Sequence, residues 1–275
     1  MEKKNIAIFF NNTRGLEVYK YLNKKKKYNL DVYLCHKNLN KLLFKKLKKF
    51  KLINKIDSTL IKKIKNKKYY LNITAGWPLK FPLDLIKSST KGTINLHAGK
   101  LPEYRGGSPL NWQIIEGKKK IFISIIKMSK GYDTGPIYIQ KSIKLRASES
   151  IRELHKKVNK IYPKMTEKVI NDIIKGIEPI KQSKKNARYL KQRNDKDGKI
   201  NWKDMSSTKI FNLVRALNKP YPGAFYVKKN KIIRVFKCKK IKNQSELKAG
   251  QILYKKNKKI IKCKYGFIEI LKKSK

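Results

Sequence analysis

The sequence predicts an α/β protein whose mostly parallel sheet is covered by helices and followed by a small β-barrel. Three observations carry this. Short β-rich runs alternate with helical patterns through the first part of the chain. Five short β-rich runs crowd into about fifty residues near the end, the spacing of a small barrel. The chain has 275 residues, enough for one large domain and a small one.

Ile6–Phe10 reads as the first strand, and Leu16, Val18, Tyr19 and Leu22 as the apolar face of a helix. Leu30–Cys35 is the next strand, and Leu39–Phe50 a second helical stretch. Tyr69–Thr74, Thr93–Leu96 and Ile121–Met128 complete the set of strands. Ser108–Glu116 is helical and closed by Gly117, and Glu149–Lys175 is a longer helix with an interruption expected at Pro163. Lys181–Lys199 is polar and lacks periodicity, so it reads as a linker between domains at 1–190 and 201–275. Ser206–Leu217 is a helix with Ile210, Leu213, Val214 and Leu217 on one face. The barrel strands are Ala224–Val227, Ile232–Lys237, Gln251–Tyr254, Lys259–Cys263 and Phe267–Leu271.

Composition excludes several classes. No apolar run is long enough for a membrane span, and the basic start with its short apolar stretch does not make a signal peptide. Cys35, Cys238 and Cys263 are scattered and odd in number, which argues against a disulfide framework or a zinc site and for a reducing cytoplasm. No metal is expected. The net charge of +53 raises a nucleic-acid reading, but eight of the 71 basic residues are Arg and the Lys are spread over the whole chain. Lys, Asn and Ile abundance reads as compositional drift, with non-specific RNA binding at low salt as its consequence. The turn after the first strand, Phe10 to Gly15, lacks Gly-x-Gly-x-x-Gly, so a dinucleotide is disfavoured. Asn11, Asn12 and Arg14 in that turn are candidate contacts for a substrate.

The chemistry concentrates in three segments. Asn95-Leu96-His97 places an amide and an imidazole two residues apart, hence on one face of a strand. Leu101-Pro102-Glu103-Tyr104-Arg105-Gly106-Gly107 is a turn-rich loop whose glycines allow close backbone approach to a ligand. Asp133-Thr134-Gly135 adds a carboxylate, which alone would read as ordinary turn chemistry. Amide and imidazole can bind a carbonyl oxygen as it becomes tetrahedral, and a carboxylate can orient the imidazole or take a proton from an amine. Together they suit transfer of a small acyl group to an amine.

These segments, with Asp197-Gly198-Lys199-Ile200-Asn201-Trp202, Val214-Arg215-Ala216-Leu217 and Pro220-Tyr221-Pro222-Gly223-Ala224, resemble the 10-formyltetrahydrofolate-dependent formyltransferases. The resemblance runs from about residue 70 to about 227. It implies a Rossmann-like catalytic domain, a small OB-like C-terminal barrel and 10-formyltetrahydrofolate as cosubstrate. It implies Asn95, His97 and Asp133 as the catalytic set, acting by direct transfer without an acyl-enzyme. It places the cosubstrate against Trp77, Leu79 and Phe81 and the loop residues Leu101, Pro102, Tyr104, Arg105 and Gly106. Arg105 could equally pair with an anion or tie the loop down.

The resemblance implies a primary amine as the acceptor. The connection from Leu22 to Tyr28 leaves no room for the basic insert of the tRNA branch, and Asn111-Trp112 resembles the sugar branch. A nucleotide-linked amino sugar is therefore the expected partner. Initiator methionyl-tRNA is the alternative, and a non-catalytic RNA-binding protein on the same fold is the reading from another class.

Overall fold

The computed structural model describes residues 2–36, 45–242, 246–255 and 258–273. The first strand, β1 (Lys4–Phe10), is buried without alternation from Ile6 to Phe10. Continuous burial marks an internal parallel strand covered on both faces. Asn12 caps α1 (Thr13–Asn23) by accepting the Gly15 N–H at 3.1 Å. A Cβ on Gly15 would lie 2.2 Å from Phe10 Cβ, so only glycine lets α1 pack this closely on β1.

β2 (Tyr28–Cys35) pairs parallel with β1 and with β3 (Lys51–Ile53). Residues 39–44 of the expected second helix lie outside the described residues, and 45–50 form turns leading into β3. α2 (Ser58–Asn66), capped by Asp57, has no counterpart in the strand and helix pattern read from the sequence. β4 (Leu71–Ala75) is fully buried and parallel to β1, and after α3 (Leu83–Ile86) comes β5 (Thr93–His97), parallel to β4. β6 (Arg105–Gly106) and α4 (Pro109–Ile115) follow, and then β7 (Lys120–Lys127), antiparallel to β5. β8 (Ile137–Lys144) closes the sheet, whose order is β3-β2-β1-β4-β5-β7-β8. The chain leaves β1 toward β2 and later resumes on its other side at β4. That makes the β1/β4 boundary the switch point, where open α/β sheets bind ligands beyond the carboxyl ends of the strands.

α5 (Ile151–Ile174) runs unbroken through Pro163, contrary to the expected interruption. Proline removes one backbone bond, but Val158, Tyr162, Met165, Val169 and Ile170 are all buried along the helix. Burial of side chains this size, about 1.5–3 kcal/mol each, outweighs a proline penalty of about 3 kcal/mol.

Short β9 (Tyr189–Leu190) pairs with β6. The C-terminal segment holds α6 (Ser207–Ala216) and an antiparallel sheet of order β10-β11-β14-β13-β12. These strands are β10 (Ala224–Lys228), β11 (Lys231–Ile241), β12 (Ile252–Lys255), β13 (Lys258–Lys262) and β14 (Phe267–Lys273). A bulge near Lys237 bends β11. Ile210, Leu213, Val214 and Leu217 of the α6 segment pack with Tyr226, Val235 and Ile268.

Packing divides the chain into two compact units, each drawn from more than one stretch of sequence. One comprises Met1–Gly106, Phe122–Ser142 and Lys156–Tyr189, the other Gly107–Ile121, Ile143–His155 and Leu190–Lys275. In the second unit Asn111 Nδ2 donates to the Ala216 carbonyl at 2.8 Å, and Arg215 Nη1 donates to the carbonyls of Arg146 and Glu149 at 3.3 and 3.2 Å. The α4 segment thus packs with the C-terminal residues because its apolar side finds their core there.

Among the described residues no helix is long and apolar enough to cross a membrane. The three cysteines are free and buried. Burial pushes the Cys238 and Cys263 thiols up to about 12, leaving little thiolate at neutral pH. In native protein at pH 8 both thiols are therefore expected to resist alkylation that goes to completion after unfolding. Mass mapping of iodoacetamide adducts checks this, and rapid native labelling of either would show that the C-terminal core opens.

Candidate active site

The site forms at the carboxyl ends of β4 and β5. His97 is the last residue of β5 and is buried. Asn95 lies two residues earlier on the same face, whereas Leu96 is buried on the other. Asp133 sits in the loop between β7 and β8 with φ of +52°, a left-handed conformation that Asp tolerates better than most residues.

Three separate segments meet at the Asp133 carboxylate. Its Oδ2 accepts the Gly106 N–H at 2.9 Å and lies 3.4 Å from His97 Nδ1. Its Oδ1 accepts from Asn95 Nδ2 at 3.3 Å. The Asn95 amide is held at its other end, where Oδ1 accepts from Thr74 Oγ1 of β4 at 2.9 Å. One N–H of Asn95 thus bonds Asp133, and the second has no partner among the described residues and is left for a ligand.

The His97 tautomer follows from its neighbours. Nε2 lies 2.6 Å from the Tyr104 carbonyl oxygen, which can only accept, so Nε2 carries a proton and donates. In the neutral ring Nδ1 is then an acceptor. Only the protonated ring offers an Nδ1–H, and that form pairs with Asp133.

The loop after β5 supplies main-chain atoms more than side chains. Leu101 is buried, and its N–H donates to Gln140 Oε1 at 2.7 Å. The peptide bond from Leu101 to Pro102 is cis, and the Pro102 carbonyl accepts from Arg188 N at 3.2 Å. The Tyr104 ring is buried with the Arg188 guanidinium 4.9 Å from its centroid. Gly106, at φ of +90°, presents its N–H to Asp133.

Arg105 resolves to a tie within the loop region. Its Nε and Nη2 donate to Gln182 Oε1 at 3.1 and 2.9 Å, and Nη1 donates to the Tyr189 hydroxyl at 3.3 Å. Gln182 and Arg188 fall within the stretch read as a linker, yet both are docked onto this unit.

Other residues expected to contact ligands also have protein partners. Phe81 is buried with Phe9 and Leu85, and Trp77 packs edge-on against Phe9 and Phe81 at 5.5 and 6.3 Å. Their apolar rings serve that cluster, with Leu79 half-buried beside them in sequence. The buried Trp77 Nε1 has no hydrogen-bond partner among the described residues. Asn11 spends both ends of its amide on the Cys35 backbone, each at 2.8 Å, which ties the end of β1 to that of β2. Asn12 caps α1. The Arg14 guanidinium is buried 5.0 Å from the Tyr162 ring centroid and reaches the Leu96 carbonyl at 3.5 Å. Thr74 and Gln182 escape a reading of the sequence, because nothing in either local pattern signals a partner far along the chain.

A formylated folate would find one donor for its carbonyl oxygen here, the second Asn95 N–H beside the Asp133 carboxylate. Among the described residues no three His, Cys, Asp or Glu gather as a metal site would require.

A parallel α/β sheet that carries an amide, an imidazole and a carboxylate beyond its strand ends has the makeup of a carbonyl-group transferase. The chain belongs to the formyl transferase family, whose Formyl transferase model matches residues 11–170 and whose C-terminal domain model matches residues 193–275. It is 32% identical over 215 residues to methionyl-tRNA formyltransferase of Thermodesulfovibrio yellowstonii, covering 78% of this chain and 68% of that protein. It is 39% identical over 189 residues to the bifunctional polymyxin resistance protein ArnA of Wigglesworthia glossinidia brevipalpis, covering 68% of this chain and 28% of that one. The crystal structure of WlaRD, a sugar 3N-formyl transferase, superposes with a TM-score of 0.73 at 18% identity over 99% of this chain and 98% of that one, a likeness of fold.

Thr74→Val keeps the shape of the side chain and removes the donor that orients Asn95. Turnover is expected to fall about tenfold, while stability drops by about 1 kcal/mol, the net worth of one hydrogen bond. Formyl-transfer rates set beside thermal melts test this, and an unchanged rate would remove Thr74 from the site.

Proposed function

We propose that the protein transfers a formyl group from 10-formyltetrahydrofolate to a primary amine. The observation that carries this reading is the convergence of Asn95, His97 and Gly106 on the Asp133 carboxylate. When bound, the folate supplies an activated formyl carbon on a nitrogen leaving group. The second Asn95 N–H receives the carbonyl oxygen as negative charge grows on it, and His97 lies beside it with Nε2 bonded to the Tyr104 carbonyl and Nδ1 facing Asp133. Asp133 holds His97 and accepts the proton released by the attacking amine. The departing folate nitrogen regains a proton through the same acid–base pair, so the proton balance closes without an acyl-enzyme.

The acceptor we infer is a nucleotide-linked amino sugar. Support comes from the connection between α1 and β2, where Lys24–Lys27 alone join Asn23 to Tyr28. Such a connection leaves no basic insert for cradling a tRNA. The Asn111-Trp112 pair opening α4 also resembles the sugar branch. A second reading, methionyl-tRNA as acceptor, is favoured by the Thermodesulfovibrio relative.

An acceptor screen with 10-formyltetrahydrofolate separates the two. Turnover is expected with amino-sugar nucleotides and not with initiator methionyl-tRNA, and the reverse result would install the tRNA reading. His97→Ala and Asp133→Asn are each expected to lower turnover about a hundredfold or more. A variant that keeps full turnover would place its residue outside the reaction.

RNA affinity should be non-specific and fall steeply with salt, since dispersed Lys bind phosphates chiefly by releasing counterions. Titrating initiator and elongator tRNA across a salt series checks this. An initiator preference that survives about 150 mM salt would count against the sugar acceptor.

A further inference from the structure

We propose that Gln182 is a positioning residue that sets the catalytic carboxylate in register with His97 and Asn95. Its Nε2 donates to two carbonyls of the catalytic loop, those of Asp133 at 2.8 Å and Gly135 at 2.7 Å. Its Oε1 accepts from Nε and Nη2 of Arg105. The orientation of this amide is unambiguous, because a guanidinium only donates and a backbone carbonyl only accepts.

The two ends of the amide thus hold the two partners of one functional bond. Arg105 immediately precedes Gly106, whose N–H donates to Asp133 Oδ2. On the other side, the carbonyls of Asp133 and Gly135 fix the turn that aims this carboxylate. The turn has no slack elsewhere, since a Cβ on Gly135 would fall 1.7 Å from the Lys127 carbonyl oxygen. Asp133 itself occupies a left-handed conformation that external bonds must sustain. Gln182 reaches the site from the segment after α5, far along the chain from the residues it holds. It touches no reacting atom, so its effect on rate passes through Asp133. Its catalytic consequence rests on the formyl-transfer reading, whereas its effect on the Gly106–Asp133 bond does not.

Gln182→Glu and Gln182→Met separate the two halves of this link. Glutamate keeps the acceptor for Arg105 but sets a second oxygen against the carbonyls of Asp133 and Gly135. Methionine keeps the length and removes both halves. In each variant kcat is expected to fall about tenfold to a hundredfold with KM for 10-formyltetrahydrofolate nearly unchanged. In an Asp133→Asn background the same substitutions should cost nothing further, because the group they position is already lost. Independently of activity, hydrogen exchange at the Gly106 amide, followed by NMR, should quicken about tenfold while Ile94 and Leu96 amides stay protected. Unchanged Gly106 exchange overturns the proposal even if the wild-type protein transfers no formyl group, an outcome that would defeat the functional reading separately. Full additivity with Asp133→Asn also overturns it, as does loss of the folded state in both variants, which would make Gln182 a structural residue.

Discussion

The site depends on one carboxyl group, that of Asp133. Asp133, in the turn between β7 and β8, holds the β5 strand and the loop after it, which lie about 30 residues earlier in the chain. A largely buried carboxylate is costly unless its oxygens are satisfied. Here both accept N–H donors, and hydrogen bonds to a charged group contribute about 1.5–3 kcal/mol each. The left-handed backbone at Asp133 costs about 1–3 kcal/mol. The bonds outweigh that strain, so the turn is stable in the one conformation that faces His97.

The sheet supplies the frame for this arrangement. Five successive strands from β3 to β5 pair in parallel, and their interior members are buried on both faces. Such strands leave few conformations for the residues at their ends. Asn95 and His97 therefore start from fixed backbone positions, and the remaining freedom is in their side-chain torsions. Thr74 removes it for the amide, and the Tyr104 carbonyl removes it for the imidazole.

The excess of positive charge has a structural outlet besides solvent. With 18 acidic residues against 71 basic ones, most lysines have no carboxylate to pair with. Several rest against aromatic rings: Lys4 lies 5.0 Å from the Tyr70 centroid, Lys264 5.6 Å from Tyr265, and Lys262 4.5 Å from Phe267. Each such contact contributes about 0.5–1 kcal/mol at an exposed site, comparable to a surface ion pair. Glu167 shows the more usual solution. Burial would raise its pKa, but the Tyr21 hydrogen bond and the nearby Lys25 and Lys27 ammonium groups hold it below the ordinary carboxylate range.

Several properties were legible in the chain itself because they arise from neighbours in sequence. The run Ile6–Phe10, the alternation that puts Asn95 and His97 on one face, the apolar face of α6 and the turn chemistry around Asp133 are all local signals. Long-range packing decided the rest. Pro163 promised a break that burial along α5 overrides. The polar stretch after residue 180 lacks periodicity, so nothing in it discloses that Gln182 bridges Arg105 to the Asp133 turn. Asn11, Phe81 and Arg105 have the right chemistry for ligands, and only the fold shows that they also meet Cys35, Phe9 and Gln182. A side chain's type and spacing determine which bonds it is able to make; which of them it makes depends on atoms that distant segments bring within about 3 Å.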